Sequence, residues 1–139
     1  MAKYYVDTNI WFDLWEDRSD PIKPLGEFAF QFFRRVSQRK DTIYYSAFTF
    51  KELKSKLSDQ TIEKHLFRQF RDSRILKEAE ISSSQMKEAV KIASNRSVPM
   101  ADALHAILAR DNNAVLVSRD SHFNLLQDVA PVFKPEDVP

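Results

Sequence analysis

The chain has 139 residues, 21 Lys plus Arg against 20 Asp plus Glu, and a net charge of +1; it suits one domain spanning 1–139, and neither a polyanion-coating protein nor an acidic solvating tail. It has no cysteine and only one glycine, Gly26, which excludes thiol chemistry, disulfides and cysteine-ligated zinc, and by counting also Gly-rich dinucleotide fingerprints and P-loops. The longest uncharged stretch, Thr42 to Phe50, falls far short of the roughly 20 apolar residues that span a bilayer, and Asp7 interrupts the first apolar run where a signal peptide would need it, so a soluble cytoplasmic protein is expected.

Short apolar runs alternate with segments of helical period, the pattern of βαβ units and a mostly parallel sheet of four to five strands flanked by helices. Tyr4 to Val6 reads as a buried strand. Leu25, Phe28, Ala29, Phe32 and Val36 then fall at i, i+3, i+4, i+7 and i+11, the buried stripe of a helix. Thr42 to Tyr45, rich in β-branched and aromatic residues, is a second strand. A helix around Phe50 to Leu57 follows, and another from Thr61 to Arg71 carries Ile62, Leu66 and Phe70 on one face.

Arg74 to Ile81 reads as a third strand. Ser82-Ser83-Ser84-Gln85 resembles a capping box opening a helix whose buried side is Met86, Ala89, Val90 and Ala93. Pro99 suits the first turn of the next helix, with Met100, Ala103, Leu104, Ile107 and Leu108 as its stripe. Ala114 to Val117 has the character of a fully buried parallel strand, and Pro131 to Phe133 that of an edge strand, where proline is tolerated.

Four acidic residues stand where these elements begin or end: Asp7, Glu52, Asp102 and Asp120. In an open parallel sheet, ligands sit beyond the carboxyl ends of the strands. Asp7 and Asp120 follow their strands, and Asp102 and Glu52 lie early in helices that reach the same edge. Together they would form an oxygen-rich pocket for one or two hard divalent cations, Mg²⁺ or Mn²⁺. Each also has a structural reading. Asp7 and Asp120 suit helix caps, Glu52 completes a Thr49-x-x-Glu52 capping box, and Asp102 complements a helix dipole.

In these motifs the chain resembles the PIN-domain nucleases, and among them the small VapC-type toxins of toxin–antitoxin modules. The resemblance rests on Val6-Asp7-Thr8-Asn9-Ile10, Phe50-Lys51-Glu52-Leu53, Met100-Ala101-Asp102-Ala103-Leu104-His105-Ala106 and Ser118-Arg119-Asp120-Ser121-His122-Phe123, and covers nearly the whole length. It implies a PIN-like three-layer α/β fold and a metal-dependent endoribonuclease that holds Mg²⁺ or Mn²⁺ with Asp7, Glu52, Asp102 and Asp120. Thr8, Asn9 and Ser118 become polar neighbours of that site, and Arg119 either contacts the scissile phosphate or balances the acids. An additional acidic ligand could come only from Asp111 or Asp128, neither well aligned.

Hydrolysis by water activated at a bound cation would leave 5′-phosphate and 3′-hydroxyl ends. A metal-free reading through His65, His105 and His122 is the weaker one, because none has an identifiable partner. A haloacid-dehalogenase-type phosphotransferase is poorer still, since Asn9 stands where its second Asp belongs. A housekeeping RNA-processing nuclease without an antitoxin and a non-catalytic acidic module remain alternatives. Two basic clusters, Lys64-Arg68-Arg71 and Arg34-Arg35-Arg39-Lys40, could hold RNA phosphates or be solvated helix faces. Trp11, Trp15 and the Phe28 to Phe33 helix mark an expected antitoxin groove, Phe30 and Phe67 fall off their helices' stripes, and exposed aromatic surface would suit a homodimer.

Overall fold

The computed structural model describes residues 1–16, 19, 21–64, 70 and 74–139. β1 (Lys3–Val6) runs into α1 (Thr8–Trp15), α2 (Leu25–Arg39) leads to β2 (Thr42–Tyr45), and α3 (Ala47–Lys54) and α4 (Asp59–Ile62) follow. β3 (Leu76–Glu78), α5 (Ser83–Arg96), α6 (Met100–Asp111), β4 (Val115–Val117) and β5 (Val132–Phe133) come next, with short 3₁₀ turns at Ser121–Leu126 and Pro135–Asp137.

The strands form one parallel sheet in the order β3-β2-β1-β4-β5, with Tyr5 opposite both Tyr44 and Leu116 and Val6 opposite Val117. Side chains alternate between its faces. Tyr4, Val6, Ile43, Tyr45 and Val117 pack with Trp11, Phe32, Phe33 and Val36 of α1 and α2. Tyr5, Tyr44 and Leu116 pack with Leu104, Ile107 and Leu108 of α6. Two cores on one sheet give three layers, and burial on both faces explains why the central strands are continuously apolar or aromatic.

Several expected elements shift. The helix expected from Phe50 begins at Ala47, because Ser46 and Thr49 close a reciprocal capping box and Glu52 takes no part in it. The strand expected over Arg74 to Ile81 is confined to Leu76–Glu78. Val90 is 56% exposed rather than buried, since α5 lies on α6 instead of on the sheet and needs only a narrow apolar stripe. α6, caught between α5 and the sheet, buries every residue from Ala103 to Ala109. Beyond Ile62, most of the helix expected from Thr61 to Arg71, with His65, Leu66, Phe67, Arg68 and Arg71, lies outside the described residues.

With a single glycine to spend, three turns use other residues in the left-handed region, Lys40 at φ 56°, Ser97 at φ 55° and Asn113 at φ 54°. Trp11 is fully buried at 0% exposure and stacks on Phe33 with centroids 4.5 Å apart, so it belongs to the core and not to a surface groove. A neighbouring groove of about 250 Å³ is lined instead by Leu14, Phe30, Phe33 and Phe70. None of the described helices is long and apolar enough to cross a membrane.

Candidate metal centre

The chain adds β2 and β3 on one side of β1, then crosses back to lay β4 on the other. The order reverses between β1 and β4, and a crevice opens there beyond the carboxyl ends. Asp7 stands at that point: its N–H donates to Val117 O at 3.0 Å, extending the ladder by one bond. Its side chain caps α1, Oδ1 accepting from Thr8 N at 2.8 Å, while Oδ2 accepts from the Ser118 hydroxyl at 2.8 Å. Ser118 Oγ in turn accepts from Asp120 N at 3.0 Å, so one serine orients both acidic residues.

Glu52 reaches the crevice from α3, and its Oε1 accepts from His105 Nε2 at 2.6 Å. His105 is wholly buried; its Nδ1 lies 2.7 Å from the Tyr5 hydroxyl, which is 2.7 Å from Ser46 Oγ. An imidazolium donates at both nitrogens, and the Tyr5 hydroxyl then donates its own hydrogen bond to Ser46 Oγ. Burial lowers the His105 pKa, but Tyr5, Glu52 and Asp7 outweigh it and hold the pKa above the ordinary histidine value. The neighbouring Glu52 and Asp7 thus favour the protonated form of His105.

Asp102, in the first turn of α6, and Asp120, capping the 3₁₀ turn through His122 N at 2.9 Å, form the other half of the cluster. His122 Nδ1 lies 3.1 Å from Asp102 Oδ2 and 3.2 Å from Asp120 Oδ1. Ligand atoms of Asp7, Glu52 and His105 lie within 4.8 Å of one another, as do those of Asp102, Asp120 and His122. The halves are electrostatically joined. Burial raises the Asp7 pKa to about 6, His105 and Ser118 oppose this, and Glu52 and Asp102 push it further up. Asp102 is raised by burial and then by Asp120, against His105 and His122.

Hard oxygen donors crowded until their pKa values rise, a serine that fixes two of them, and the buried Thr8 hydroxyl with no hydrogen-bond partner fit a divalent cation. Asn9, by contrast, is exposed. Arg119 points away from the acids: its guanidinium makes paired bonds to Glu136 at 2.7 and 2.9 Å, and Nε lies 3.5 Å from Asp13 Oδ2. Asp111 is bound by Arg110 and Gln85, and Asp128 by Arg96, so neither adds to the cluster. The sequence alone identifies no partner for His105 or His122, and the structure gives each one, Glu52 and Tyr5 for His105 and Asp102 and Asp120 for His122. The signal was spacing, since His105 follows Asp102 by three residues and so shares its helix face.

No curated protein matches the sequence. The fold is similar to VapBC2 from Rickettsia felis bound to a DNA fragment from their promoter, at TM-score 0.66 and 18% identity over 95% of this chain and 98% of that one. VapBC-1 from nontypeable Haemophilus influenzae gives 0.65 and 19% over 96% and 98%. A toxin–antitoxin complex from Klebsiella pneumoniae gives 0.60 and 17% over 99% and 100%. At such identities the likeness is one of fold. The family model for the PIN domain matches residues 4–128, from the second residue of β1 to beyond the turn that Asp120 caps, and the chain belongs to that family.

Proposed function

We propose that the protein is an endoribonuclease that hydrolyses RNA phosphodiesters with Mg²⁺ or Mn²⁺, and that it is the toxin of a type II toxin–antitoxin pair. The observation that carries the reading is two acidic groups, Asp7 with Glu52 and Asp102 with Asp120, which act on one another electrostatically at the crevice between β1 and β4. These four side chains would hold the cation. A bound divalent ion supplies positive charge against the oxyanion that develops at phosphorus and lowers the pKa of water.

The chain's own residues prepare that site. Ser118 locks the Asp7 carboxylate by a hydroxyl bond and the Asp120 backbone by accepting its N–H. His105 fixes Glu52 and, being sealed from solvent, serves as a positioning residue that cannot itself reach a substrate. Water adds to phosphorus and the bond from phosphorus to O3′ breaks, which leaves 5′-phosphate and 3′-hydroxyl ends.

Support for an antitoxin comes from the toxin–antitoxin complex of Klebsiella pneumoniae, which shares the fold. On this chain the antitoxin would meet the groove whose apolar side is Leu14, Phe30, Phe33 and Phe70 and whose polar side is Arg34, Ser37 and Gln38. Incubating the protein with total RNA, with Mn²⁺ or with EDTA, and mapping the cut ends tests the activity. Native protein should cut only with the cation, and Asp7→Asn should lose at least a hundredfold. Cyclic 2′,3′-phosphate ends, full cleavage in EDTA, or an active Asp7→Asn protein would refute it.

A further inference from the structure

A cavity of about 540 Å³ lies along α2 and against the turn at Pro135–Asp137, outside the carboxylate cluster. Arg34, Arg35, Arg39, Gln38, Phe28 and Glu136 contribute to its lining. Among the described residues Arg34 and Arg39 have no ion pair or hydrogen bond, and Arg35 gives one donor to Val138 O at 3.4 Å. Glu136 is already neutralised, by both Arg119 bonds and by Lys23 at 3.9 Å. The nearby Asp41 carboxylate is buried and accepts from Ala2 N at 3.1 Å. Three arginines therefore line the cavity, Arg34 on the ridge it shares with the neighbouring groove, and among the described lining residues Glu136 is the one carboxylate.

We propose that this groove binds the sugar–phosphate backbone of the RNA substrate away from the cut, an inference that rests on the nuclease reading. A cluster of carboxylates repels a polyanion, so the substrate needs cationic contacts elsewhere, and the net charge of +1 offers no general attraction. Guanidinium forks match phosphate oxygens in pairs. The groove's position also fits. Arg119, next in sequence to Asp120, lies over the Phe28 ring at 5.7 Å, so the groove opens beside the carboxyl edge. From Phe28 it follows α2 to Arg39, about 16 Å at 1.5 Å per residue.

The lining favours nucleic acid over an acidic protein segment. Phe32 is almost fully buried and Phe28 lies beneath Arg119, so neither aromatic ring offers an open pocket for a peptide anchor. Most of the polar lining is arginine and glutamine, donors suited to phosphate and ribose oxygens.

The test measures binding of a labelled single-stranded RNA to Asp7→Asn protein by fluorescence anisotropy over a salt series. Replacing Arg34, Arg35 and Arg39 together by Gln should lower the slope of log affinity against log salt by about 2, at about 0.7 per phosphate contact for a single strand. Affinity at low salt should fall at least tenfold, and the matching Lys replacements should keep most of the slope. Since Arg35 also ties α2 to Val138, the Arg34→Gln/Arg39→Gln pair is a second variant, with a fall of about 1.4. An unchanged slope in both variants overturns the proposal. So does displacement of RNA by poly-glutamate at equal charge, which assigns the groove to an acidic protein. The outcomes stay separable: a native protein that never cleaves leaves this slope readable, and a failed groove leaves any cation-induced rise in melting temperature in place.

Discussion

Asp7 is only 4% exposed, and its bonds from Thr8 and Ser118 do not offset the cost of burying its charge beside Glu52 and Asp102, which is why its pKa stands near 6. Its folded pKa is raised, so the protonated form favours folding. That contribution is present in full below the ordinary value of 3.8 and is lost as pH rises through about 6. A cation must displace the same proton. Affinity for Mg²⁺, measured by calorimetry, should therefore rise about tenfold per pH unit below pH 6 and level off above it, with one proton released per ion at the acid end. Equal affinity at pH 5 and pH 7.5 would remove Asp7 from the ligand set. Asp7 could be read from the sequence because an acid directly after an apolar run has few places to go. Only its spacing from Asp102 marked His105, because an apolar helix face hides what its histidine meets until β1 and α3 deliver Tyr5 and Glu52.

At the level of elements, α5 shows what local sequence specifies and what it leaves to context. Its start was legible: Ser82 Oγ accepts from Gln85 N at 3.2 Å, and Gln85 Oε1 accepts from Ser82 N at 2.8 Å, as the Ser-x-x-Gln spacing suggests. Its end was not, because Ser97 occupies a left-handed position that glycine usually marks. Ser82→Ala should cost about 1 kcal/mol through loss of the cap. Ser97→Gly should gain about 1 kcal/mol by removing the Cβ clash of a left-handed residue. Urea denaturation reads both, and a destabilised Ser97→Gly would mean that the serine side chain has a tie that outweighs its backbone. The burial of Val90 was misjudged for a related reason: periodicity marks an apolar face but cannot say whether a sheet or one helix covers it.

For the molecule as a whole, strand order decides what the parts can do. The alternation of apolar runs foretold a parallel sheet, but only the crossing from β3 back to β4 puts Ser118 and Asp120 beside Asp7. The same fold keeps unlike charges apart, carboxylates at the carboxyl edge and arginines along α2, within a near-neutral total. That separation stores repulsion in the cation-free state. Binding only to the folded form should add about 2.7 kcal/mol when the cation is at a hundred times its dissociation constant, so millimolar Mg²⁺ should raise the melting temperature of native protein and EDTA should reverse the rise. Asp7→Asn removes one buried charge yet keeps the bonds, since the amide oxygen accepts from Thr8 N and its NH₂ donates to a Ser118 hydroxyl turned to accept. In EDTA this variant should melt higher than native protein, and Mg²⁺ should then add little. If it melts lower in EDTA, or gains as much from Mg²⁺ as native protein does, the buried charge at Asp7 is not what the cation relieves.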